Sequence, residues 1–285
     1  MDNNFILTLS CEDKPGIVAA VANALAESQG NINEAQQFDA PQSGLFFMRV
    51  AFTMDPGLIE TFKAGFAATA ASCGMTWEVF AKHRRRKVLI LVSKFDHCLI
   101  DLLYRNRIGE LEMDVVGIVS NHPKESINAA MIGDDVPYHY LPMAKGEKAA
   151  QEAEIKRVVT ETGAELIVLA RYMQILSDDL AGFLSGRCIN IHHSFLPGFK
   201  GAKPYHQAHA RGVKMIGATG HYVTADLDEG PIISQDVEHI SHADTPEDLV
   251  RKGRDIERRV LARAVRWHLE GRVFVAGNRT VVFRD

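Results

Sequence analysis

The amino-acid sequence predicts a two-domain α/β protein, in which a small βαββαβ unit precedes a larger, open and mostly parallel α/β sheet. The chain of 285 residues is long enough for one to two domains. Its N-terminal part orders strand-like and helix-like segments as in the ferredoxin-like fold. After the basic run 83–87, short apolar runs alternate with helix-length segments, which is the pattern of parallel strands covered by helices.

Local signals predict each element of the first unit, which we place at residues 1–83. Residues 5–9 form a β-type run, and Asp13-Lys14-Pro15-Gly16 then opens a helix, with proline in the first turn, where its missing N–H costs nothing. Gly30 is placed to end that helix. The remaining predictions are strands over 31–40 and 45–53, a second helix that begins at residues 55–57, and a last strand over 75–81.

The basic run 83–87 marks the domain boundary, so that residues 84–285 form the second domain. Such a run can bind phosphate or nucleic acid, but the net charge of the chain is -4, and we interpret it as a solvated linker. A helix is predicted from Thr245 to Gly271, because Thr245 and the following Pro, Glu and Asp are typical of a helix start. The strands of this domain are predicted at 88–92, 115–119, 166–169 and 187–192.

Composition and charge exclude several classes of protein. The chain is 46% hydrophobic and 24% charged, as in ordinary globular proteins, and 32 basic against 36 acidic residues leave no excess for nucleic-acid binding. Four scattered cysteines without a C-x-x-C pair indicate reduced, mostly buried thiols. No apolar run approaches the ~18 residues of a membrane span, and the N-terminus does not resemble a signal peptide. We therefore expect a cytoplasmic protein that binds neither membrane nor nucleic acid.

The first candidate site lies at the end of the strand 187–192. Asn190 and His192 are two residues apart and therefore share one face of that strand. An amide and an imidazole presented together at a strand end could hold a developing oxyanion. A pair of satisfied polar residues is the alternative, but a loop rich in proline and glycine follows, and functional sites are commonly built in loops on rigid strands.

The second candidate site is an acidic loop that follows another β-type run. Asp228 is a candidate general base there, although an aspartate before Gly-Pro is usually a turn former. His221, taken alone, is more often structural than catalytic. Zinc sites need three or four ligands, and the histidines 192, 193, 206, 209 and 221 show no H-E-x-x-H or comparable spacing, so we expect no metal.

Together these two segments resemble the folate-dependent formyltransferase family. The resemblance covers residues 87–285 and rests on two blocks in the family's order, Asn190-Ile191-His192 with Ser194-x-Leu196-Pro197, and His221-x-Val223-Thr224-x-x-x-Asp228-x-Gly230-Pro231-Ile232. It implies a formyltransferase-type sheet and a catalytic set of Asn190, His192 and Asp228. The segment 170–176 is similar to the one that holds the pterin ring. The implied substrate-binding residues are Met173, Gln174, Ile175, Leu176, His193, His221, Ala225 and Leu227.

Departures from the family pattern resemble its hydrolytic branch, the deformylases. Residues 93–98 lack the glycine-rich loop through which the transformylase branch binds the phosphate of its acceptor. His193 stands where that branch has proline, and the segment from His193 through 201–208 has the deformylase form. The branch that acts on initiator tRNA has a further domain, for which we expect no room after Asp285.

Hydrolysis of 10-formyltetrahydrofolate is the activity that this resemblance implies. Water would accept the formyl group, the folate would be the substrate, and no metal or redox cofactor would be required. The formate and tetrahydrofolate produced would serve the one-carbon pools of purine biosynthesis. Two alternatives stay open here: formyl transfer to an acceptor held by Arg171, Lys200 or Lys203, and an amino-acid sensor whose second domain is inactive.

The N-terminal unit resembles an ACT domain, a module that binds amino acids at subunit interfaces. The resemblance rests on the βαββαβ order and on Asp13-x-Pro15-Gly16 at the first strand–helix turn. It implies a homo-oligomer and an amino-acid effector, glycine or methionine, near Asp13, Gly16 and Asn31. A unit that only makes an oligomer contact and binds no ligand is an equally open alternative.

Overall fold

Two units make up the fold of the computed structural model, which describes residues 3–128, 132–133, 135–143, 146–198 and 204–285. One unit contains the residues up to Arg84 together with Glu270–Asp285, and the other is Arg85–Leu269. The predicted boundary between residues 83 and 84 lies within one residue of the first division. The structure differs from the prediction at the C-terminus, because residues 270–285 group with the first unit and not with the second.

A four-stranded antiparallel sheet with two helices forms most of the first unit. Its elements are β1 (Asn4–Glu12), α1 (Ile17–Glu27), β2 (Asn31–Ala40), β3 (Leu45–Thr53), α2 (Ile59–Cys73) and β4 (Thr76–Ala81), and the strand order is β2-β3-β1-β4. Gly16 has a φ of 95° at the start of α1, a left-handed conformation that glycine adopts without steric cost. The predicted ferredoxin-like arrangement is confirmed.

A seven-stranded sheet forms the second unit, with the strand order β11-β10-β9-β8-β5-β6-β7. Its strands are β5 (Arg86–Val92), β6 (Met113–Ser120), β7 (Tyr138–Tyr140), β8 (Leu166–Leu169), β9 (Cys188–His192), β10 (Met215–Tyr222) and β11 (Ile232–His239). Its helices are α3 (His97–Arg107), α4 (Lys148–Thr162), α5 (Asp178–Phe183), α6 (Pro204–Ala210) and α7 (Pro246–Leu269). Pairs from β9 to β7 are parallel, whereas β10 is antiparallel to both its neighbours, so the predicted mostly parallel sheet is confirmed.

The order of the parallel strands creates a crevice at one edge of this sheet. The chain proceeds from β5 to β6 on one side and later returns to place β8 on the other side of β5. Ligands of open α/β sheets bind outside the carboxyl ends of the strands where the order reverses. The residues that follow β5, β8 and β9 are therefore placed around one crevice.

A short C-terminal hairpin completes the first unit. It consists of β12 (Val273–Ala276) and β13 (Arg279–Val282). Phe274 packs on Phe47 of β3 with ring centroids 5.6 Å apart, and Arg49 Nε donates a hydrogen bond to the Glu270 carbonyl over 3.2 Å. These contacts explain why the C-terminal segment groups with the first sheet.

Three further predictions can be compared with the structure. The linker interpretation of the basic run is wrong for its second half, since Arg86 begins β5 and Arg85 Nε donates to Asp114 Oδ1 over 2.7 Å. All four cysteines are free thiols, three of them buried. Within the described ranges, no helix combines the length and the apolar character that a membrane crossing needs.

Candidate active site

The strand β9 presents Asn190 and His192 to a cavity of about 770 Å³ at the carboxyl edge of the second sheet. β10 runs antiparallel beside β9 and places His221 opposite Asn190. The two predicted segments therefore meet side by side, although some 30 residues separate them in the chain. Asp228 follows β10 and lines the same cavity.

A sharp turn brings Asp228 back onto the histidines. Asp228 has a φ of 57°, and Tyr222 N donates to the Pro231 carbonyl over 2.9 Å, which closes the loop at its base. A Cβ on Gly230 would overlap with the Tyr222 carbonyl oxygen, so this close approach of the two chain segments requires glycine. The Gly-Pro pair thus acts as a turn former and also positions the carboxylate.

Two histidines hold the Asp228 carboxylate. His192 Nδ1 lies 3.2 Å from Asp228 Oδ2, and His221 Nε2 lies 3.7 Å from Oδ1. Burial alone would raise the pKa of Asp228, but hydrogen bonds and charge from His192 and His221 outweigh that effect and lower its pKa far below the ordinary 3.8. Asp228 is therefore ionised at neutral pH.

The hydrogen bonds assign different roles to the two imidazoles. His221 Nδ1 lies 2.9 Å from the Tyr222 carbonyl, an acceptor, so Nδ1 carries a proton, and Nε2 lies 3.2 Å from Asn190 Nδ2 and 3.7 Å from Asp228 Oδ1. His192 Nδ1 points at Asp228. His192 is only 7% exposed, yet its Nε2 has no hydrogen-bond partner among the described residues. A buried polar atom without a partner is costly, which indicates that a ligand completes this position.

The predicted substrate-binding residues all line this cavity: Met173, Gln174, Ile175, Leu176, His193, His221, Ala225 and Leu227. Met173 is 50% and Ile175 61% exposed, so they form an open apolar wall. The backbone of this wall is fixed, because Met173 N donates to Ser93 Oγ over 3.0 Å and Ser93 N donates to the Arg171 carbonyl over 3.2 Å. An apolar wall beside converging polar groups is typical of a small-molecule site.

The loop after β9 is held in place by one threonine. Thr219 Oγ1 accepts from Leu196 N over 3.0 Å and donates to the Ser194 carbonyl over 2.9 Å, and Gln235 Nε2 donates to the Leu196 carbonyl over 3.0 Å. This network anchors the chain directly after His193. Lys200, Lys203 and the glycine and alanine between them, for which the sequence suggested acceptor contacts or a family pattern, lie outside the described residues.

A second polar cluster adjoins the catalytic groups, and sequence reasoning missed most of it. We call His97, Arg171, His193, Tyr205 and Glu257 the Glu257 cluster. Glu257 is 1% exposed; its carboxylate accepts from Tyr205 OH over 2.6 Å and lies 2.8 Å from His97 Nε2 and 3.3 Å from Arg171 Nε. Arg171 Nη1 also contacts His193 Nδ1. The available signal was an acidic residue on the apolar face of α7.

Two members of the Glu257 cluster, together with Cys98, have the residue types of a metal site. Ligand atoms of His97, Cys98 and Glu257 lie within 4.8 Å of one another. However, the carboxylate of Glu257 already contacts a phenol, an imidazole and a guanidinium, and the positive charge of Arg171 would repel a cation there. The donor set therefore does not fit a metal ion.

The predicted effector residues do not come together within one chain. Asp13 and Gly16 follow the end of β1, whereas Asn31 begins β2 and pairs with Thr53, which also pairs with Asn4 at the start of β1. At about 3.4 Å per residue, the nine residues of β1 separate Asp13 from Asn31 by roughly 30 Å.

Two family models match this chain. The model for formyl transferase matches residues 86–265, and the ACT domain model matches residues 5–61. The formyltetrahydrofolate deformylase of Corynebacterium sp. (strain P-1) is 51% identical over 281 residues, which cover 98% of this chain and 98% of that protein.

Solved structures give a graded likeness. The crystal structure of formyltetrahydrofolate deformylase from Burkholderia mallei has a TM-score of 0.93 at 50% identity and covers 99% of this chain and 100% of its own. A glycinamide ribonucleotide transformylase from Symbiobacterium toebii has a TM-score of 0.65 at 30% identity and covers 71% of this chain and 95% of its own. The likeness to the deformylase extends over both units.

Proposed function

The chain belongs to the formyltetrahydrofolate deformylase family, and we propose that it hydrolyses 10-formyltetrahydrofolate to tetrahydrofolate and formate. The observation that carries this proposal is the unpartnered Nε2 of His192, buried beside an ionised Asp228 in a cavity with an apolar wall. In this proposal the formyl oxygen of the substrate is the acceptor that pairs with this nitrogen. The pterin ring of the folate would lie against Met173 and Ile175.

Stabilisation of the tetrahedral intermediate falls to His192 and Asn190 in this proposal. Asp228 accepts from Nδ1 of His192, and in this proposal a proton on Nε2 of the same ring donates to the developing oxyanion. The Asn190 amide lies on the same strand face and adds a second donor. Together they lower the barrier because the negative charge develops only as water adds to the formyl carbon.

Proton transfer falls to Asp228. Its lowered pKa keeps the carboxylate ionised and oriented toward a water molecule, but also makes it a weak base for free water. Transfer becomes favourable as the new C–O bond forms, because the attacking water then becomes strongly acidic. Asp228, directly or through water, returns that proton to N10, the C–N10 bond breaks, and formate and tetrahydrofolate leave.

A single incubation tests the proposed reaction. The full chain is mixed with 10-formyltetrahydrofolate without any acceptor, and formate and tetrahydrofolate are measured, with the Asp228→Asn variant as the matched control. Equal amounts of both products, absent from the control, support hydrolysis. Release that requires an added amine would identify a transferase instead, and no release under either condition would indicate a sensor without activity.

For the first unit, we infer an amino-acid effector bound between two copies of the chain. A site that uses Asp13, Gly16 and Asn31 together needs two chains, since these residues lie at opposite ends of one sheet. β2 supports this arrangement, because it is an edge strand of the described sheet and exposes Ile32 and Phe38. Subunit contacts of exposed edge strands are common.

Calorimetric titration of the full chain with glycine and with methionine tests the effector proposal. We expect one of the two to bind, Asp13→Ala to lose that binding, and light scattering to report an oligomer. Binding of neither amino acid to an oligomeric protein would assign the unit a contact role alone.

A further inference from the structure

Arg171 has an unusual backbone conformation in the wall of the active-site cavity. Its φ is 66°. Glycine adopts this region freely, whereas other residues adopt it only at an energetic cost and keep it only where the surrounding structure imposes it. The surroundings do so here, since Ser93 N donates to the Arg171 carbonyl and Ser93 Oγ accepts from Met173 N. A long charged side chain at a position suited to glycine indicates that the side chain itself is required.

The guanidinium of Arg171 fills space beside the catalytic groups. It contacts His193, whose ring centroid lies 5.2 Å from that of His192, and it forms an ion pair with Glu257 over 3.3 Å. Tyr205 packs 6.2 Å from His193 and donates to the other oxygen of Glu257. These side chains line the cavity together with Asn190, His192 and Asp228.

We propose that the Arg171–Glu257 ion pair excludes amine acceptors from the formyl carbon and so makes water the acceptor. This inference rests on the proposed hydrolysis and assigns its acceptor specificity to named residues. An amine carries substituents that need space, and in its protonated form it would also meet the positive charge of Arg171. Water has no substituents that need space, and it carries no charge that Arg171 would repel. Excluding a competitor by steric and charge conflict is a general route to specificity.

The competing reaction differs only in its nucleophile. A primary amine would attack the formyl carbon, a new C–N bond would form, and the C–N10 bond would break. The proton lost by the amine would reach N10 through Asp228. The products would be an N-formyl amine and tetrahydrofolate, without net oxidation or reduction. Asn190, His192 and Asp228 would serve both nucleophiles, so the access of the amine to the formyl carbon decides which product forms.

The ratio of the two products directly measures the access of an amine to the formyl carbon. The full chain is given 10-formyltetrahydrofolate carrying a ¹³C-formyl group and an excess of glycinamide, and labelled formate and N-formylglycinamide are quantified by NMR. The variants are Arg171→Gly and Arg171→Asn, because both residues tolerate a positive φ. The matched control is Arg254→Gln, which removes a positive charge from the same cavity without touching the ion pair.

We expect the ratio of formylglycinamide to formate to rise roughly tenfold or more in both Arg171 variants and to stay near the wild-type ratio in Arg254→Gln. An unchanged ratio in variants that still release formate would overturn the inference. Loss of both products with a native circular dichroism spectrum would overturn it too, since Arg171 would then act in the chemistry. If the wild type itself releases no formate, the proposed hydrolysis fails first, and the inference falls with it.

Discussion

The cavity contains two polar clusters that differ in how completely their hydrogen bonds are satisfied. Around Asp228, the carboxylate is paired but the Nε2 of His192 has no partner among the described residues. Around Glu257, both carboxylate oxygens are occupied, by Tyr205 on one side and by His97 and Arg171 on the other. The incomplete cluster can bind a reacting group, whereas the complete one can only hold shape and charge.

Both clusters stabilise a buried carboxylate in the same way, but the consequences differ. Each buries a carboxylate and offsets the desolvation with imidazole or guanidinium donors. Asp228 lies on a loop and faces the cavity. Glu257 lies on the helix α7 and is 1% exposed. Replacing a group in the first cluster should therefore affect rate, and replacing one in the second should affect stability and specificity.

Removing the carboxylate of the first cluster should have the largest effect. Asp228→Asn keeps the shape but loses the charge that accepts the proton, so we expect formate release to fall by about 10²–10⁴-fold. The measurement is kcat for formate release at neutral pH. Asp255→Asn, an exposed acid on α7, is the control and should retain its rate. Turnover near the wild-type value in Asp228→Asn would remove this residue from the mechanism.

The oxyanion donor comes next. His192→Ala removes the unpartnered Nε2, and loss of one oxyanion donor typically costs about 10²–10³-fold in kcat. Single-turnover kinetics should show the loss in the chemical step, with substrate binding changed much less. His209→Ala is the control, because this histidine is exposed on α6. A variant that loses affinity but keeps kcat would assign His192 to ground-state binding.

The first of these clusters was predictable from the sequence, and the second was not. Asn190 and His192 share a strand face by simple alternation, and their loop resembles a known motif. The strands β2 and β3 were likewise predicted with the bounds that the structure has. Glu257 and Arg171 lie far apart in the chain, and their contact depends on α7 packing against β9, β10 and β11. No local pattern encodes such a pairing.

The C-terminal hairpin was missed for a related reason. β12 and β13 have only four residues each, and none of those residues is fully buried, so they give no clear periodic signal. Their position depends on a long-range aromatic contact between Phe274 and Phe47. The separation of Asp13 from Asn31 was equally invisible, because it follows from the parallel direction of β1 and β2 and not from spacing.

Packing within the Glu257 cluster can be disturbed without touching a charge. A Cβ on Gly253 of α7 would overlap with the Tyr205 ring, so Gly253→Ala must displace Tyr205 from Glu257. We expect a loss of about 1–3 kcal/mol in unfolding free energy, measured by urea denaturation. Gly182→Ala in α5 is the matched control; its Cβ would meet open space, and stability should rise by up to about 1 kcal/mol. Equal effects in both would mean that Tyr205 adapts freely.

The smallest expected effect is a dependence of stability on pH that reports the charge of Glu257. Burial would raise the pKa of Glu257, but the hydrogen bond from His97, the charge of Arg171 and the hydrogen bond from Tyr205 outweigh it and lower the pKa below 4.5. A carboxyl whose pKa is lower in the folded state stabilises the protein above its unfolded pKa, and that contribution is lost as the pH falls through the folded value. The gap in unfolding free energy between wild type and Glu257→Gln should therefore narrow as the pH decreases from about 6 to 3, since protonated glutamate resembles glutamine. The measurement is urea denaturation of both proteins across that range. A gap that stays constant would show that folding leaves the pKa of Glu257 unchanged, and the contrast between the two clusters would then rest on packing instead of charge.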